Sequence, residues 1–358
     1  MTKWISRFFS ASLKKKSPKT VELPSKSGLH VREDLKRSLR SRTPKIRLVF
    51  MGTPPLAASI LRSLHDEKYN IVGVITKADK PVGRNKEPQG GPVKIVAEEL
   101  GLPLLQPQKL DATTIANIQA WKPDLIVVAA YGKILPEALL ALPGFGCVNF
   151  HTSLLPQWRG ASPIQNALLA GMTETGVTLM LMDTGMDTGD ILKQKTVPIA
   201  PDDTTPTLTA KLLKAGTDLL LETLPLWIER RITPTKQDDS QATLCQLIER
   251  QDGKIMWTDD AESIYNRYRA LSPWPGIFTY TRKKDSILRL KLLKISFQKH
   301  SPQITKPLGM VFEIGEHIGV QTTDGIIFLE EVQLEGKSPL PIQDFLRGNE
   351  NFIGSMLE

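Results

Sequence analysis

The run Leu125-Ile126-Val127-Val128-Ala129-Ala130 is apolar on both sides of any strand it forms, and a parallel sheet covered by helices on both faces is where such a strand is buried. Around it, short apolar runs alternate with stretches at helical spacing. Residues 46–51 read as a strand ending in Gly52-Thr53-Pro54, residues 56–64 as a helix, and residues 71–76 as a second strand. Residues 94–100 and 113–121 read as helices on either side of a short strand at 103–106. This α/β succession predicts an open, doubly wound, mostly parallel sheet, with its ligand site beyond the carboxyl ends of the strands. Gly52 and Gly132 are then expected at the rim of that site. A helix over 160–169, a strand over 177–182 and a long helix over 204–232 complete the unit.

Several common chemistries lack their motif on this sheet. Gly52-Thr53-Pro54 is not a G-x-G-x-x-G fingerprint, which disfavours a nicotinamide enzyme, and no G-x-x-x-x-G-K-[ST] loop is present. Nor does a G-x-S-x-G elbow occur. What does stand out is the stretch from Val148 through Asn149, Phe150 and His151 to Ser153-Leu154-Leu155-Pro156 and Gly160. On a strand Asn149 and His151 share one face, opposite Val148 and Phe150. An amide donor beside an imidazole suits a carbonyl oxygen that becomes negative while a proton moves nearby. The plainer reading is a core histidine and an asparagine satisfying loop backbone. Asp183, Asp187 and Asp190, in a run punctuated by Gly185 and Gly189, offer more carboxylates than one turn needs.

Beyond a polar linker at 234–241 the pattern changes to short strands with turn signals. A helix over 261–271 precedes strands at 278–280, 288–297, 310–314, 319–322 and 326–334, which predicts a small β-barrel of the oligonucleotide-binding type. Ten Lys and Arg residues, including Arg267, Arg269, Arg282, Arg289, Lys294 and Lys299, face Asp285 alone between 264 and 310, so a positive face is expected there. In the first unit, Lys80, Arg84 and Lys86 lie in a long Pro/Gly-rich loop attractive to phosphates, or else a solvated idle one. The overall charge of +8 says little about either surface. Residues 1–45 hold thirteen Lys and Arg against Glu22, Glu33 and Asp34, which exceeds the whole excess and leaves the remainder slightly acidic. That segment reads as a disordered basic extension, a transit peptide or an RNA-holding arm. Cys147 and Cys245 have no ligand-like spacing, so neither a disulfide framework nor a metal site is implied, and no apolar run is long enough for a transmembrane helix.

Asn149, His151, the Ser153-to-Pro156 run and Asp187 together resemble the signature of the folate-dependent formyltransferases. The resemblance extends over roughly residues 46–350, and the basic loop, Leu271-Ser272-Pro273-Trp274-Pro275-Gly276 and Asp344-Phe345-Leu346-Arg347-Gly348 are similar to the methionyl-tRNA branch of that family. It implies a Rossmann-like catalytic domain over 46–233 and a tRNA-binding barrel over 242–350. It implies Asn149, His151 and Asp187 as catalytic, with Asn149 and His151 donating to the oxyanion and Asp187 orienting His151 and taking the proton. Ser153, Leu154, Leu155 and Pro156 would contact 10-formyltetrahydrofolate, the formyl donor, while Lys80, Arg84 and Lys86 would meet initiator methionyl-tRNA. No metal and no membrane are implied. A monomer in the cytoplasm is expected, or in the mitochondrial matrix if residues 1–45 are a transit peptide. Leu56, in place of an aromatic residue, and Asn85, in place of a glycine, depart from the pattern. The competing readings are a formyltetrahydrofolate hydrolase, a formyltransferase for a sugar or nucleotide amine, and an RNA-binding protein built on a retired enzyme domain.

Overall fold

The computed structural model describes residues 46–82, 87–283, 286–299 and 306–358, and only the backbone of 80–82 and 87–89. In chain order its first half runs β1 (Arg47–Gly52), α1 (Pro55–Asp66), β2 (Asn70–Ile75), β3 (Lys80–Val82), β4 (Glu87–Gln89), α2 (Pro92–Glu99), β5 (Leu104–Leu105), α3 (Ala112–Ala120) and β6 (Leu125–Ala129). It continues with α4 (Glu137–Leu140), β7 (Cys147–His151), β8 (Arg159–Gly160), α5 (Pro163–Leu169), β9 (Glu174–Leu181), β10 (Ile191–Pro198) and α6 (Thr205–Ile228). Seven strands form one sheet in the order β10-β9-β7-β6-β1-β2-β5.

Side-chain alternation explains why the central strands read as wholly apolar. Leu48 and Phe50 of β1 join Leu125 and Val127 of β6 in a core that includes Leu61 of α1 and Leu208 and Leu212 of α6. Val49, Met51, Ile126 and Val128 point the other way and join Ile118 of α3 and Leu139 of α4. Burying each such side chain is worth about 1.5–3 kcal/mol, and β1 and β6 collect it on both faces. The chain leaves β1 towards β2 and β6 towards β7, so the strand order reverses between β1 and β6. Gly52 ends β1 at this point. A Cβ there would lie 2.5 Å from Ala57 Cβ and 2.9 Å from Ala129 O, so only glycine lets the first turn of α1 come this close.

Two features add to the sequence reading of a mostly parallel sheet. β9 and β10 are antiparallel to their neighbours, and β10 was not expected at all. Its exposed Lys193 and Gln194 give it the polar look of an edge strand, which hides it from a hydropathy pattern. The long basic loop is partly structured: β3 and β4 pair as an antiparallel ribbon, with α2 beginning at Pro92. Arg84 and Lys86 lie outside the described residues, and Lys80 lies in β3. At the foot of the ribbon Asp79 accepts from Lys94 Nζ at 2.6 Å and from Gln106 Nε2 at 2.7 Å. These two bonds hold its carboxyl below the usual carboxylate range.

The second half comprises β11 (Leu244–Cys245), α7 (Ala261–Leu271), β12 (Ile277–Lys283), β13 (Ser286–Gln298), β14 (Val311–Ile314), β15 (His317–Gln321), β16 (Ile326–Leu334), β17 (Leu340–Pro341) and α8 (Ile342–Arg347). Its antiparallel sheet has the order β12-β13-β16-β15-β14, with β17 beside β16, and curls into a half-barrel. Residues 355–358 lace the open seam. Tyr280 N donates to Glu358 O at 3.0 Å on the β12 side, while Val311 N donates to Ser355 O at 2.9 Å on the β14 side.

Four of the cations behind the expected positive face are paired with acids. Lys299 pairs with Glu262 at 2.6 Å, Lys294 with Glu330 at 2.8 Å, Arg282 with Glu358 at 3.3 Å and Arg289 with Glu335 at 3.6 Å. Each exposed pair adds only about 0–1 kcal/mol of stability, yet it spends a free positive charge. Arg269 is not on a surface at all. It is buried and donates to Asp203 O at 3.0 Å, fastening α7 to the loop before α6. Acids distant in sequence fold back onto the basic strands, which a linear charge count cannot foresee.

Asp203 itself anchors that loop. Burial raises its pKa, but bonds from Lys211, the Ala200 amide and the Thr207 hydroxyl outweigh this and hold it below its ordinary value. A carboxyl depressed in the folded state stabilises above its unfolded pKa, and the contribution is lost as pH falls through the folded value. Asp203→Asn should therefore be less stable than the parent at neutral pH, with the gap closing as pH drops below about 4. Urea midpoints taken across that range check this; a gap independent of pH would contradict it.

Candidate active site

β7 runs parallel to β6 and ends at the carboxyl edge of the sheet, with Asn149 and His151 as its third and last residues. Both are almost fully buried. The acidic run after β9 curls back over this edge, and Asp187 meets both side chains across 38 and 36 positions of chain. Asn149 Nδ2 donates to Asp187 Oδ1 at 3.3 Å. His151 Nδ1 lies 3.6 Å from Asp187 Oδ2, which also accepts from Gly160 N at 2.9 Å. The other ring nitrogen, Nε2, is 3.0 Å from Trp158 O. A carbonyl oxygen only accepts, so this contact needs a hydrogen on Nε2, and Nδ1 can donate to the carboxylate only when the ring carries both hydrogens.

The three residues foreseen as the catalytic group are thus brought together. His151 is held between Trp158 O, which faces Nε2, and Asp187 Oδ2, which faces Nδ1. Asn149 is different: its amide carries two hydrogens, and Asp187 takes one.

Asp187 achieves its place at a cost. Its φ is 56°, in the left-handed region that a non-glycine residue seldom enters. Such a backbone costs about 1–3 kcal/mol and persists only where its surroundings over-determine it. Gly189 helps the loop to close. A Cβ at that position would lie 1.8 Å from Leu181 O, so the chain can pack back on the end of β9 only without a side chain.

The four residues expected at a folate divide by exposure. Ser153 is wholly buried and donates to Gln157 O at 2.6 Å, and Leu155 is buried too. Those two hold the turn from inside. Leu154 and Pro156 are partly exposed and line a cleft of about 330 Å³ together with Leu155, Trp158, Met172, Thr175 and Gln241. The side chains of Asn149, His151 and Asp187 do not line that cleft. Among the described residues no group of three or more His, Cys, Asp or Glu is placed to hold a metal.

Other residues of the site carry no signal that the sequence reading used. Thr178, fully buried opposite His151 on β9, donates to Ser153 O at 2.6 Å and accepts from Leu155 N at 3.0 Å and Gln194 Nε2 at 2.9 Å. A hydroxyl amid an apolar strand was its only mark. Residues 235–245, expected to include a linker, lie against the site. Arg159 N donates to Thr243 O at 2.8 Å, Trp158 N to Thr243 Oγ1 at 2.8 Å, and β11 pairs with β8. Cys245 accepts from Ser162 N at 3.4 Å, and burial, with the charge of Asp187 adding to it, pushes its thiol pKa up. Burial raises that of Cys147 to about 12. Neither offers a thiolate nucleophile at neutral pH.

Residues 45–224 match the family described as formyl transferase, and residues 247–350 that described as formyl transferase, C-terminal domain. The chain is 42% identical over 314 residues to methionyl-tRNA formyltransferase of Geotalea daltonii, covering 87% of this chain and 98% of that protein. It is 44% identical over 305 residues to the Roseiflexus castenholzii enzyme of the same name, covering 85% and 96%. The fold is that of an N-formyltransferase from Helicobacter canadensis in complex with folinic acid and dTDP-3-aminofucose. The TM-score is 0.59 at 20% identity, over 79% of this chain and 98% of that one.

Thr178→Val keeps the side-chain volume but strands the Ser153 carbonyl and the Leu155 amide in the interior. Each buried group left unsatisfied costs about 1–3 kcal/mol, so the variant should lose at least about 2 kcal/mol by chemical denaturation. A loss under about 0.5 kcal/mol, within the ordinary range for a neutral surface change, would show that the hydroxyl does not hold the turn.

Proposed function

The chain belongs to the methionyl-tRNA formyltransferase family, and we propose that formyl transfer takes place at the end of β7, around Asn149, His151 and Asp187. The observation that carries this reading is the meeting of an amide, an imidazole and a carboxylate from two separate segments at the carboxyl edge of the sheet. In this reading the formyl carbon of 10-formyltetrahydrofolate, bound on N10, is attacked by the α-amine of methionine esterified to initiator tRNA. The carbon becomes tetrahedral and its oxygen negative. The free hydrogen of the Asn149 amide is the donor for that oxygen, and one such preorganised donor is worth about 3–4 kcal/mol of barrier in comparable acyl transfers. His151 could add a second donor only by releasing Trp158 O.

Asp187 has the other task. An α-amine of ordinary pKa, about 7.7–8.0, is largely protonated at pH 7, and it must shed a further proton as the new bond forms. A carboxylate fixed beside the reacting carbon accepts that proton, directly or through a water, while His151 holds its orientation. The amine is itself a competent nucleophile, so no covalent enzyme intermediate is needed. The transfer balances without a redox partner: the N10–C bond breaks, the amine–C bond forms, and N10 regains a proton.

Leu154 and Pro156 are the accessible members of the proposed folate contact, and the turn that Ser153 and Leu155 hold from inside presents them. Lys80, Arg84 and Lys86 we assign to the phosphates of the tRNA. With Arg282, Arg289, Lys294 and Lys299 paired to acids, the loop at 80–89 is the stronger candidate for tRNA contact. No helix among the described residues is long and apolar enough to cross a membrane. A cytoplasmic setting fits the reaction, or a mitochondrial one if residues 1–45 are removed on import.

Incubation of the purified protein with 10-formyltetrahydrofolate and, separately, methionyl-tRNA, uncharged tRNA, an aminosugar nucleotide or water tests the assignment. Formyl should appear on methionyl-tRNA alone; release into water or onto the sugar would select one of the other formyltransferase chemistries. Asp187→Asn should lower turnover by at least about a hundredfold, with folate affinity within about threefold of the parent. Parental turnover in that variant would remove Asp187 from the mechanism. Arg84→Glu should raise the KM for methionyl-tRNA by about tenfold or more at low salt and leave that for folate unchanged. An unaltered dependence on tRNA concentration would take the ribbon out of tRNA binding.

A further inference from the structure

We propose that Gln237 is a positioning residue for Asp187, acting through the main chain of the acidic loop. The inference rests on the reading of Asp187 given above and extends it to a residue 50 positions away that touches no reacting atom. Gln237 is 5% exposed. Its Nε2 donates to Asp187 O at 2.9 Å and to Gly189 O at 2.7 Å, which uses both amide hydrogens. Its Oε1 accepts from Nε and Nη2 of Arg159 at 3.1 and 2.8 Å. The partners dictate the orientation of the amide, since carbonyl oxygens only accept and a guanidinium only donates. Arg159 also donates to Asp239 Oδ1 at 2.7 Å, which steadies it from a third side.

These bonds close a ring. Asp187 O is held by Gln237, Gln237 by Arg159, and the next residue after Arg159, Gly160, donates its amide to Asp187 Oδ2. The main-chain oxygen and the carboxylate of one residue are therefore fixed by two neighbours in sequence, and the left-handed backbone between them has little freedom left. Glutamine is suited to this place because it presents donors to two carbonyls and an acceptor to a cation. A glutamate would satisfy Arg159 but set its other oxygen against the two carbonyls. Residues around Gln237 are pinned independently: Thr235 pairs with Ile191, and Thr243 N donates to Pro156 O at 3.2 Å. The segment should then stay in place when the amide is removed, while Asp187 loses its hold.

Steady-state kinetics of Gln237→Ala and Gln237→Glu, beside Asp187→Asn and the Asp187→Asn/Gln237→Ala double variant, test the proposal. Both single changes at 237 should lower kcat by about tenfold to a hundredfold while the KM for folate and for methionyl-tRNA stays within about threefold, as for a reacting group displaced by about 1 Å. In the Asp187→Asn background, Gln237→Ala should cost less than about a further twofold, because its effect passes through a carboxylate already gone. Additive losses would assign Gln237 a general structural role and overturn the proposal, as would failure of both single variants to fold. Full activity in Gln237→Glu would show that the donors to Asp187 and Gly189 are not needed. If Asp187→Asn is crippled and the Gln237 variants are not, the positioning inference alone fails; if Asp187→Asn is itself fully active, the reading of the site fails and takes the inference with it.

Discussion

Asp187 sits in a backbone conformation that side chains avoid, and the chemistry proposed for this site depends on its staying there. The carboxylate takes hydrogen bonds from the Asn149 amide and the Gly160 N–H and faces a ring nitrogen of His151, while its own carbonyl is held by Gln237. Removing it from any one of these leaves a buried polar group without a partner. The strain of about 1–3 kcal/mol is thus distributed over a network that would lose more by relaxing.

That network explains the arrangement of the larger elements. β7 must end at the carboxyl edge beside β6 so that Asn149 and His151 emerge together; β9 must run antiparallel to β7 so that the chain returns to the same edge and the acidic loop falls over it. Residues 235–245 then complete the site from outside, pairing with β8 at Arg159 and Gly160. The same stretch leads on to the curled sheet, and α7 of that half is fastened to the first half by Arg269. The edge that carries the candidate site and the second half are consequently tied through both a strap and a helix.

Much of this was legible in the order of residues. Two-faced burial made β1 and β6 readable, and the Ser272-Pro273-Trp274-Pro275-Gly276 run placed the end of α7 where it is observed. That Asn149, His151 and Asp187 would meet was legible because a resemblance linked segments that spacing alone cannot connect. What stayed hidden follows from physics of a different range. β10 looks polar because it is an edge, the barrel's cations look free because their acids are supplied from later strands, and Gln237 looks like linker because its bonds are all to main chain and to a distant arginine. The contact between His151 and Trp158 was hidden for a similar reason: nothing in the sequence says that Trp158 will turn its carbonyl onto the ring.

The most direct observation would be a crystal structure with a non-transferable 10-formyl folate analogue bound. The account requires the formyl oxygen to lie about 2.7–3.1 Å from Asn149 Nδ2, with Asp187 within reach of the face open to an incoming amine. A formyl group lodged instead among Met172, Thr175 and Gln241, beyond the reach of Asn149, would contradict it.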